Sequence, residues 1–524
     1  MRKTITVILN KFYWPTNVIS SWIGILLPPA IYFYFVYYYS LNLPFADDFA
    51  QLNDVIRIIQ HESLIEKFNQ IFALHNEHRV AFTRIAYLLS YFTFGEINFR
   101  TLIIIGNIVF LVLLYLFFKI SKVSYTSLLY FVPISILLFQ LQSWKSMTWA
   151  TSALSNQYIL LFTGLTFYFL NKNTRLNFYS GCFFAIISAF TQGSGLVTVF
   201  LGWTILLFSK RYRQFFIWTA GACLLGFYYF QNFQTTTNVL TGAVSLSGVK
   251  NMLIYFFAYL GSSLSLNNIY AAVGFGVVLS FYLCFLTWDK YFKRNLTVYV
   301  FLVYTFLNAA LVAVARSGIE VDNVFSPRYK VVSVVIIILV YITLAERFSS
   351  NANKFRCFVV IGILVSALSY FSTFHHGRVN LETRNKSLTW MANQWVNTNH
   401  GFFYSSGAPA DVDVTPNSIL INAVEGGFYK LPYEILGIPD RGYSPSVILP
   451  KTCKIEKRAA FKVKLSIIPI GPESNPNLIR LEGMIHAPIS NKIDNNATIH
   501  LILKSKDGSY IFETHPQHYL RGSV

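Results

Sequence analysis

Residues 101–118 read TLIIIGNIVFLVLLYLFF, eighteen consecutive positions without a charge, ending against Lys119 and Lys122. At about 1.5 Å per residue, such a run comes close to crossing roughly 30 Å of hydrocarbon as a helix. The same pattern recurs in both directions along the chain. Upstream lies Ser20–Tyr39, too long for a secretory-signal core and followed by no small-x-small cleavage site. Downstream come Ser124–Phe139, Leu154–Leu170, Phe178–Gln192, Gly195–Phe208, Phe215–Phe230, Ile269–Trp288, Leu296–Ala315, Val331–Ala345 and Phe358–Phe374. These segments predict an all-α polytopic membrane domain over residues 1–375, with eleven transmembrane helices and a first outer loop over 41–100.

Composition agrees with that reading. Only 12% of the 524 residues are charged and 54% are hydrophobic, against about 25% charged in soluble domains. The net charge of +19 would fit nucleic-acid binding in a soluble protein. Here the basic residues sit between apolar segments, where membrane topology places them, so nucleic acid is excluded as a partner and lipid is the surrounding medium. Every second connection is basic: Lys119 and Lys122; Lys172 and Arg175; Lys210, Arg211 and Arg213; Lys290, Lys293 and Arg294; Arg347, Lys354 and Arg356. With Arg2, Lys3 and Lys11 at the N-terminus, this alternation predicts a cytoplasmic N-terminus and an extracytoplasmic tail. The apolar stretch Val249–Leu264 reads either as an interfacial segment or as a further span.

Residues 376–524 form the second predicted domain, extracytoplasmic and β-rich after an amphipathic helix over Leu381–Asn397. Phe461–Ile468, Leu478–Ile485 and Thr498–Lys504 alternate as strands do, and Asp507-Gly508 is a hairpin signal. The five cysteines form no CxxC pair or zinc-type spacing, and Cys453 stands alone in the tail.

Three polar clusters fall on the predicted outer face. The first, LPFADDF at 43–49, sets Asp47 and Asp48 just beyond the first span. Paired carboxylates beside a membrane are costly to desolvate, and the pair suits a general base with a partner that orients it or holds a cation. Asp is also an ordinary helix N-cap. The second is HNEHR at 75–79. If helical, its three- and four-residue spacing puts His75, His78 and Arg79 on one face, suited to a phosphate, with Glu77 orienting them and Arg84 adding to the set. It is not the HExxH zinc motif. The third holds Arg316-Ser317-Gly318 and Ser326-Pro327-Arg328-Tyr329. Arginines on an outer face run against the positive-inside bias, and anion binding accounts for Arg316 and Arg328. Weaker features are Trp144, Lys145, Trp149, Asn156 and Gln157 around one outer turn, and Thr191–Gly195 at another.

The combination of ADDF, HNEHR and RSG…SPRY over residues 15–375 resembles the GT-C-fold membrane glycosyltransferases, in particular poorly characterised bacterial members. The resemblance implies transfer of a sugar from a polyprenyl-phosphate donor to a glycan, lipid or protein acceptor outside the cytoplasm of a bacterial inner membrane, with inversion. It implies Asp47 and Asp48 as catalytic residues and His75, His78, Arg79, Arg316 and Arg328 as ligands of the donor phosphate, with Glu77 and Tyr329 supporting. Metal dependence stays open, with Asp48 the ligand if a divalent cation takes part. An O-antigen-type polymerase or ligase, and a lipid-linked glycan transporter, are the alternatives.

Overall fold

The computed structural model describes residues 14–75, 77–123, 128–233, 246–316, 321–398, 416–432, 454–455, 462–469, 479–486, 499–505 and 508–514. Readings that rest on Asn76, Ser317, Gly318, Cys453, Asp507 or the N-terminal basic residues lie outside these. The chain divides into two compact units, and residues 416–432 belong to the first rather than to the tail that begins at 376 in the sequence reading.

The first unit is helical. In chain order it contains α1 (Trp14–Tyr39), α2 (Asp47–Gln60), α3 (Leu64–Ile71), a hairpin of β1 (Leu74–His75) and β2 (His78–Arg79), α4 (Ala81–Phe94) and α5 (Phe99–Ile120). Then come α6 (Val132–Leu138), α7 (Trp144–Met147), α8 (Ala150–Ser152), α9 (Tyr158–Leu170), α10 (Arg175–Ala189), α11 (Gly195–Phe208) and α12 (Tyr212–Tyr229). The last group is α13 (Leu246–Gly261), α14 (Ile269–Trp288), α15 (Leu296–Arg316), α16 (Lys330–Phe348), α17 (Ala352–Thr398), whose residues from 389 on belong to the second unit, and α18 (Pro416–Glu425).

Six of these helices are long and apolar enough to cross a membrane: α1, α5, α14, α15, α16 and α17. The other five predicted spans fold as shorter helices. Ser124–Phe139, for instance, is reduced to a 3-10 turn at Leu128–Phe131 followed by α6, where Pro133 near the first helical position starts the helix afresh. The predicted amphipathic helix at Leu381–Asn397 is not separate. It continues α17 without a break, since no proline interrupts the segment and Gly377 packs directly on Leu141.

Local chemistry explains several joints. Pro28 and Pro29 lie inside α1. Pro29 has no N–H to give the Ile25 carbonyl, and Ser135 Oγ donates to that carbonyl instead at 2.7 Å. α13 and α14 approach closely through glycine. A Cβ at Gly276 would stand 1.9 Å from the Phe257 carbonyl oxygen, and one at Gly261 would stand 2.2 Å from that of Ala272. The stretch Val249–Leu264 is therefore helical to Gly261 and held against α14.

Two polar ties fix the ends of the helices. At one, the buried Glu346 carboxylate accepts from the Lys122 backbone N–H (2.8 Å), Asn295 Nδ2 (2.7 Å) and Tyr291 Oη (2.6 Å), joining α5, the α14–α15 connection and α16. At the other, residues 428–430 strap the first loop. Tyr429 Oη donates to the Asn42 carbonyl at 2.5 Å, Asn42 Nδ2 donates to the Lys430 carbonyl at 3.2 Å, and the Ile97 N–H donates to the Phe428 carbonyl at 2.8 Å. α18 packs against α2 beside this strap.

In the second unit, β4 (Lys462–Pro469) pairs antiparallel with β5 (Ile479–His486), and β6 (Ile499–Ser505) lies between β3 (Lys454–Ile455) and β7 (Gly508–Thr514). The register of β6 and β7 runs from Ile499↔Thr514 to Ser505↔Gly508.

Candidate functional site

The site begins at a strained turn. Ala46, just before α2, has φ 51° and ψ −119°, and the Asp48 N–H donates to the Phe45 carbonyl at 3.0 Å. This resembles the first central position of a II′ turn, a conformation suited to glycine and strained in alanine. Asp48 holds it. Its Oδ2 accepts from the Phe45 N–H at 3.0 Å, and its Oδ1 accepts from the Thr151 N–H (2.8 Å), Thr151 Oγ1 (2.6 Å) and Tyr87 Oη (2.7 Å). Burial pushes the Asp48 carboxyl up to about 6, against the pull of those hydrogen bonds. The catalytic and cation-binding roles predicted for Asp48 therefore need correction. Its side chain is 1% exposed and both oxygens are engaged, so it positions its neighbour. Asp47, the first residue of α2, is half-buried and among the described residues accepts no hydrogen bond and forms no ion pair.

HNEHR is a hairpin, not a helix. In the antiparallel register His75 stands opposite His78, and Leu74 opposite Arg79. A strand alternates its faces, so Arg79 turns away from the two imidazoles. Its Nε donates to the Tyr229 carbonyl at 2.8 Å, and Nη1 and Nη2 donate to those of Phe72 and Gln231 at 2.5 Å. These carbonyls lie at or just past the ends of α12 and α3, where helices leave acceptors unsatisfied. Arg79 is thus a buried clamp, and the phosphate-binding role predicted for it is corrected. Arg84 is similarly committed, to Asp54 at 2.7 Å and to the carbonyls of Ile71 and Ala73.

The remaining predicted residues come together with three others in a closed circuit of electrostatic neighbours. Asp47 acts on His75 and on Lys145. Lys145 feels Arg384 and Arg328. Arg328 and Arg316 both act on Tyr255, Arg316 acts on His78, and His78 feels His75. The circuit draws on the first loop, α7, α13, the two ends of the α15–α16 connection, and α17. Asp54 is held by Arg84, and Asp47 is the carboxylate that acts on both His75 and Lys145.

Burial lowers both imidazoles below the ordinary histidine value; nearby carboxylates partly offset it, Asp47 and Asp54 at His75 and Glu77 at His78. Both rings are therefore neutral at neutral pH. His78 lies over Gly193, where a Cβ would stand 2.6 Å from its Nδ1, so the Thr191–Gly195 turn forms part of the wall. Burial, then Arg384 and Arg328, lower Lys145 to about 8. Its ammonium lies 5.7 Å from the Phe45 ring centroid and 5.9 Å from that of Trp149. Arg328 lies over the Tyr329 ring, 4.8 Å from its centroid.

Arg384 was not among the predicted site residues. It donates from Nε to Thr148 Oγ1 at 2.9 Å and lies 3.9 Å over Phe45. One signal was available. Leu381, Arg384, Leu388, Ala392 and Trp395 form a single buried stripe on α17, and a charge inside an apolar stripe needs an explanation. Tyr255 had no comparable signal. Among the described residues, no three His, Cys, Asp or Glu side chains gather as ligands for a metal.

The fold and this circuit define a helical membrane protein with a buried cationic site at one end of its bundle. No family model matches the chain, and no curated protein or solved structure matches it.

Proposed function

We propose that this protein is a membrane glycosyltransferase that moves a sugar from a polyprenyl-phosphate donor to a glycan, lipid or protein acceptor outside the cytoplasm. In this reading all eleven apolar segments cross the bilayer, the N-terminus is cytoplasmic, and the strands of the tail build a β-rich extracytoplasmic domain. The circuit then lies at the outer rim. α13 stays on that side as an interfacial helix.

One observation carries the reading. Lys145, Arg316, Arg328 and Arg384 converge with no carboxylate in ion-pair contact among the described residues, and Asp47 stands on the same circuit with its oxygens uncommitted. Arg384 is buried and the other three are half-buried, so an anion is a natural complement to the group. A lipid phosphate brings it, together with a tail that belongs in the bilayer.

The chemistry follows. Asp47 takes the proton of an acceptor hydroxyl. The acceptor oxygen forms a bond to the anomeric carbon of the donor sugar. The bond from that carbon to the phosphate oxygen breaks, and its electron pair leaves with the lipid phosphate, stabilised by Arg328, Arg316 and Lys145. Inversion is what the resemblance to the membrane glycosyltransferases implies.

The test is Asp47→Asn in membranes supplied with polyprenyl-phosphate sugar. Transfer is expected to fall by about 10²–10⁴-fold with the melting temperature unchanged, since Asp47 makes no described hydrogen bond. Full activity in this variant removes the proposed base.

A further inference from the structure

The short helix α3 is turned inside out. Leu64, Ile65 and Phe68, at i, i+1 and i+4, share one face and are 81%, 74% and 52% exposed, and α3 has no buried residue. Its polar face is the one the protein holds. Gln70 Nε2 donates to Asp54 Oδ1 on α2 at 3.4 Å, and Glu66 lies 3.2 Å from His61. A helix on a water-facing surface arranges its faces the other way, apolar toward the protein.

Contacts place α3 at the rim of the bundle. α1 ends and α5 begins side by side: the Phe99 N–H donates to Asn42 Oδ1 at 2.7 Å, and Arg100 Nη2 donates to the Tyr37 carbonyl at 3.1 Å. Both helices are long and apolar enough to cross a membrane, so residues 40–98 leave and re-enter the bundle at one face. Tyr37 and Tyr38 stand exposed there, as tyrosines do at a membrane–water boundary. The Arg79 clamp then fixes α3. It joins the Phe72 carbonyl at the end of α3 to the Tyr229 carbonyl at the end of α12, and the Phe72 and Tyr228 rings lie 6.0 Å apart. α12 exposes Leu224 and Phe227 within two turns of that end, so α3 sits where an outward-facing apolar helix surface stops.

We infer that α3 is an interfacial anchor: Leu64, Ile65 and Phe68 dip into the headgroup–acyl boundary of the leaflet on this face and hold the first loop to the lipid surface. Lipid fits this face because the boundary takes the apolar side chains and leaves Glu66, Asn69 and Gln70 in its polar layer. Three side chains fall short of the roughly 800 Å² per partner that a stable protein interface buries. The anchor reaches the rest of the loop through fixed contacts. Arg84 on α4 binds Asp54 at 2.7 Å and the carbonyls of Ile71 and Ala73 at 3.0 and 2.6 Å, which ties α3 to α2, and α2 opens at Asp47. The depth of α3 in lipid thus carries to Asp47. The anchor does not rest on sugar transfer; it needs only that the helical unit sits in a bilayer.

The experiment uses the full-length protein with its five cysteines replaced by alanine, in vesicles of phosphatidylethanolamine and phosphatidylglycerol. Phe68→Cys, Ile65→Cys and Glu66→Cys each carry a nitrobenzoxadiazole fluorophore. The three positions are exposed, so the labels displace no packed side chain. Labels replacing Ile65 and Phe68 should emit to the blue of the label replacing Glu66. Lipid carrying a nitroxide near its headgroup should quench them, and lipid carrying it at the chain end should quench them less, since an interfacial helix buries its apolar face only about 5–10 Å deep. The label replacing Glu66 should be quenched by aqueous iodide instead. Equal lipid quenching at all three positions overturns the inference, and so does water-like emission at all three. Blue emission from the Ile65 and Phe68 positions without quenching by either lipid overturns it as well, because the tail or a second copy of the chain then covers the face. Stronger quenching from the chain end would place α3 in the hydrocarbon core and also overturn it.

Discussion

Lys145 and Asp47 are electrostatic neighbours, and burial changes what the lysine can do. The ammonium, lowered to about 8 by burial and by Arg384 and Arg328, is charged at neutral pH and discharges as the pH rises through about 8. Donor binding should weaken over that range, seen as a rising KM for the lipid-linked sugar. Lys145→Arg keeps its charge and should move this alkaline limb upward. Identical pH profiles for the two proteins would remove Lys145 from the phosphate's neighbourhood. Asp48 shows the opposite use of burial. Four hydrogen bonds commit it to holding Ala46 in its strained turn, so two adjacent and chemically identical residues divide into one that positions and one that makes no described hydrogen bond. Sequence shows the pair but not the division, because only the direction in which each side chain leaves the helix separates them.

Among the elements, α13 depends on its glycines. A valine at Gly276 would drive its Cβ into the Phe257 carbonyl, whereas Gly274, two residues earlier, has nothing within 4 Å. Gly276→Val should cost about 1–3 kcal/mol. Gly274→Val should not, measured by thermal unfolding. Equal melting temperatures of the two variants would show that the α13–α14 contact does not need its glycine. The elements also show why part of the site was hidden. The apolar segments announce themselves by length, and alternation over 462–514 places four strands to within a residue or two. HNEHR is different, because its i, i+3, i+4 spacing suits a helix while the chain makes a hairpin of two-residue strands. That change of period carries Arg79 away from the histidines it was grouped with. Likewise, residues 428–430 have no signal of their own for a strap onto Asn42. That contact joins positions nearly 390 residues apart, and no local pattern encodes it.

At the scale of the whole molecule, the alternation of basic connections makes a prediction about sidedness. Cys182, Cys223, Cys284 and Cys357 are free thiols, and Cys453 is the one cysteine of the tail. With the first four replaced by alanine, Cys453 should react with a membrane-impermeant maleimide added outside intact cells. Labelling only after lysis would put the tail, and with it the proposed site, on the wrong side of the membrane for an extracytoplasmic acceptor.

The Glu346 tie has a mechanical corollary. It pins α5, α15 and α16 together at the ends remote from Arg316 and Arg328, so those helices share a fulcrum and displacement grows along them with distance from it. On the function proposed above, a prenyl chain would enter at the end that carries the arginines, the one this tie leaves unpinned.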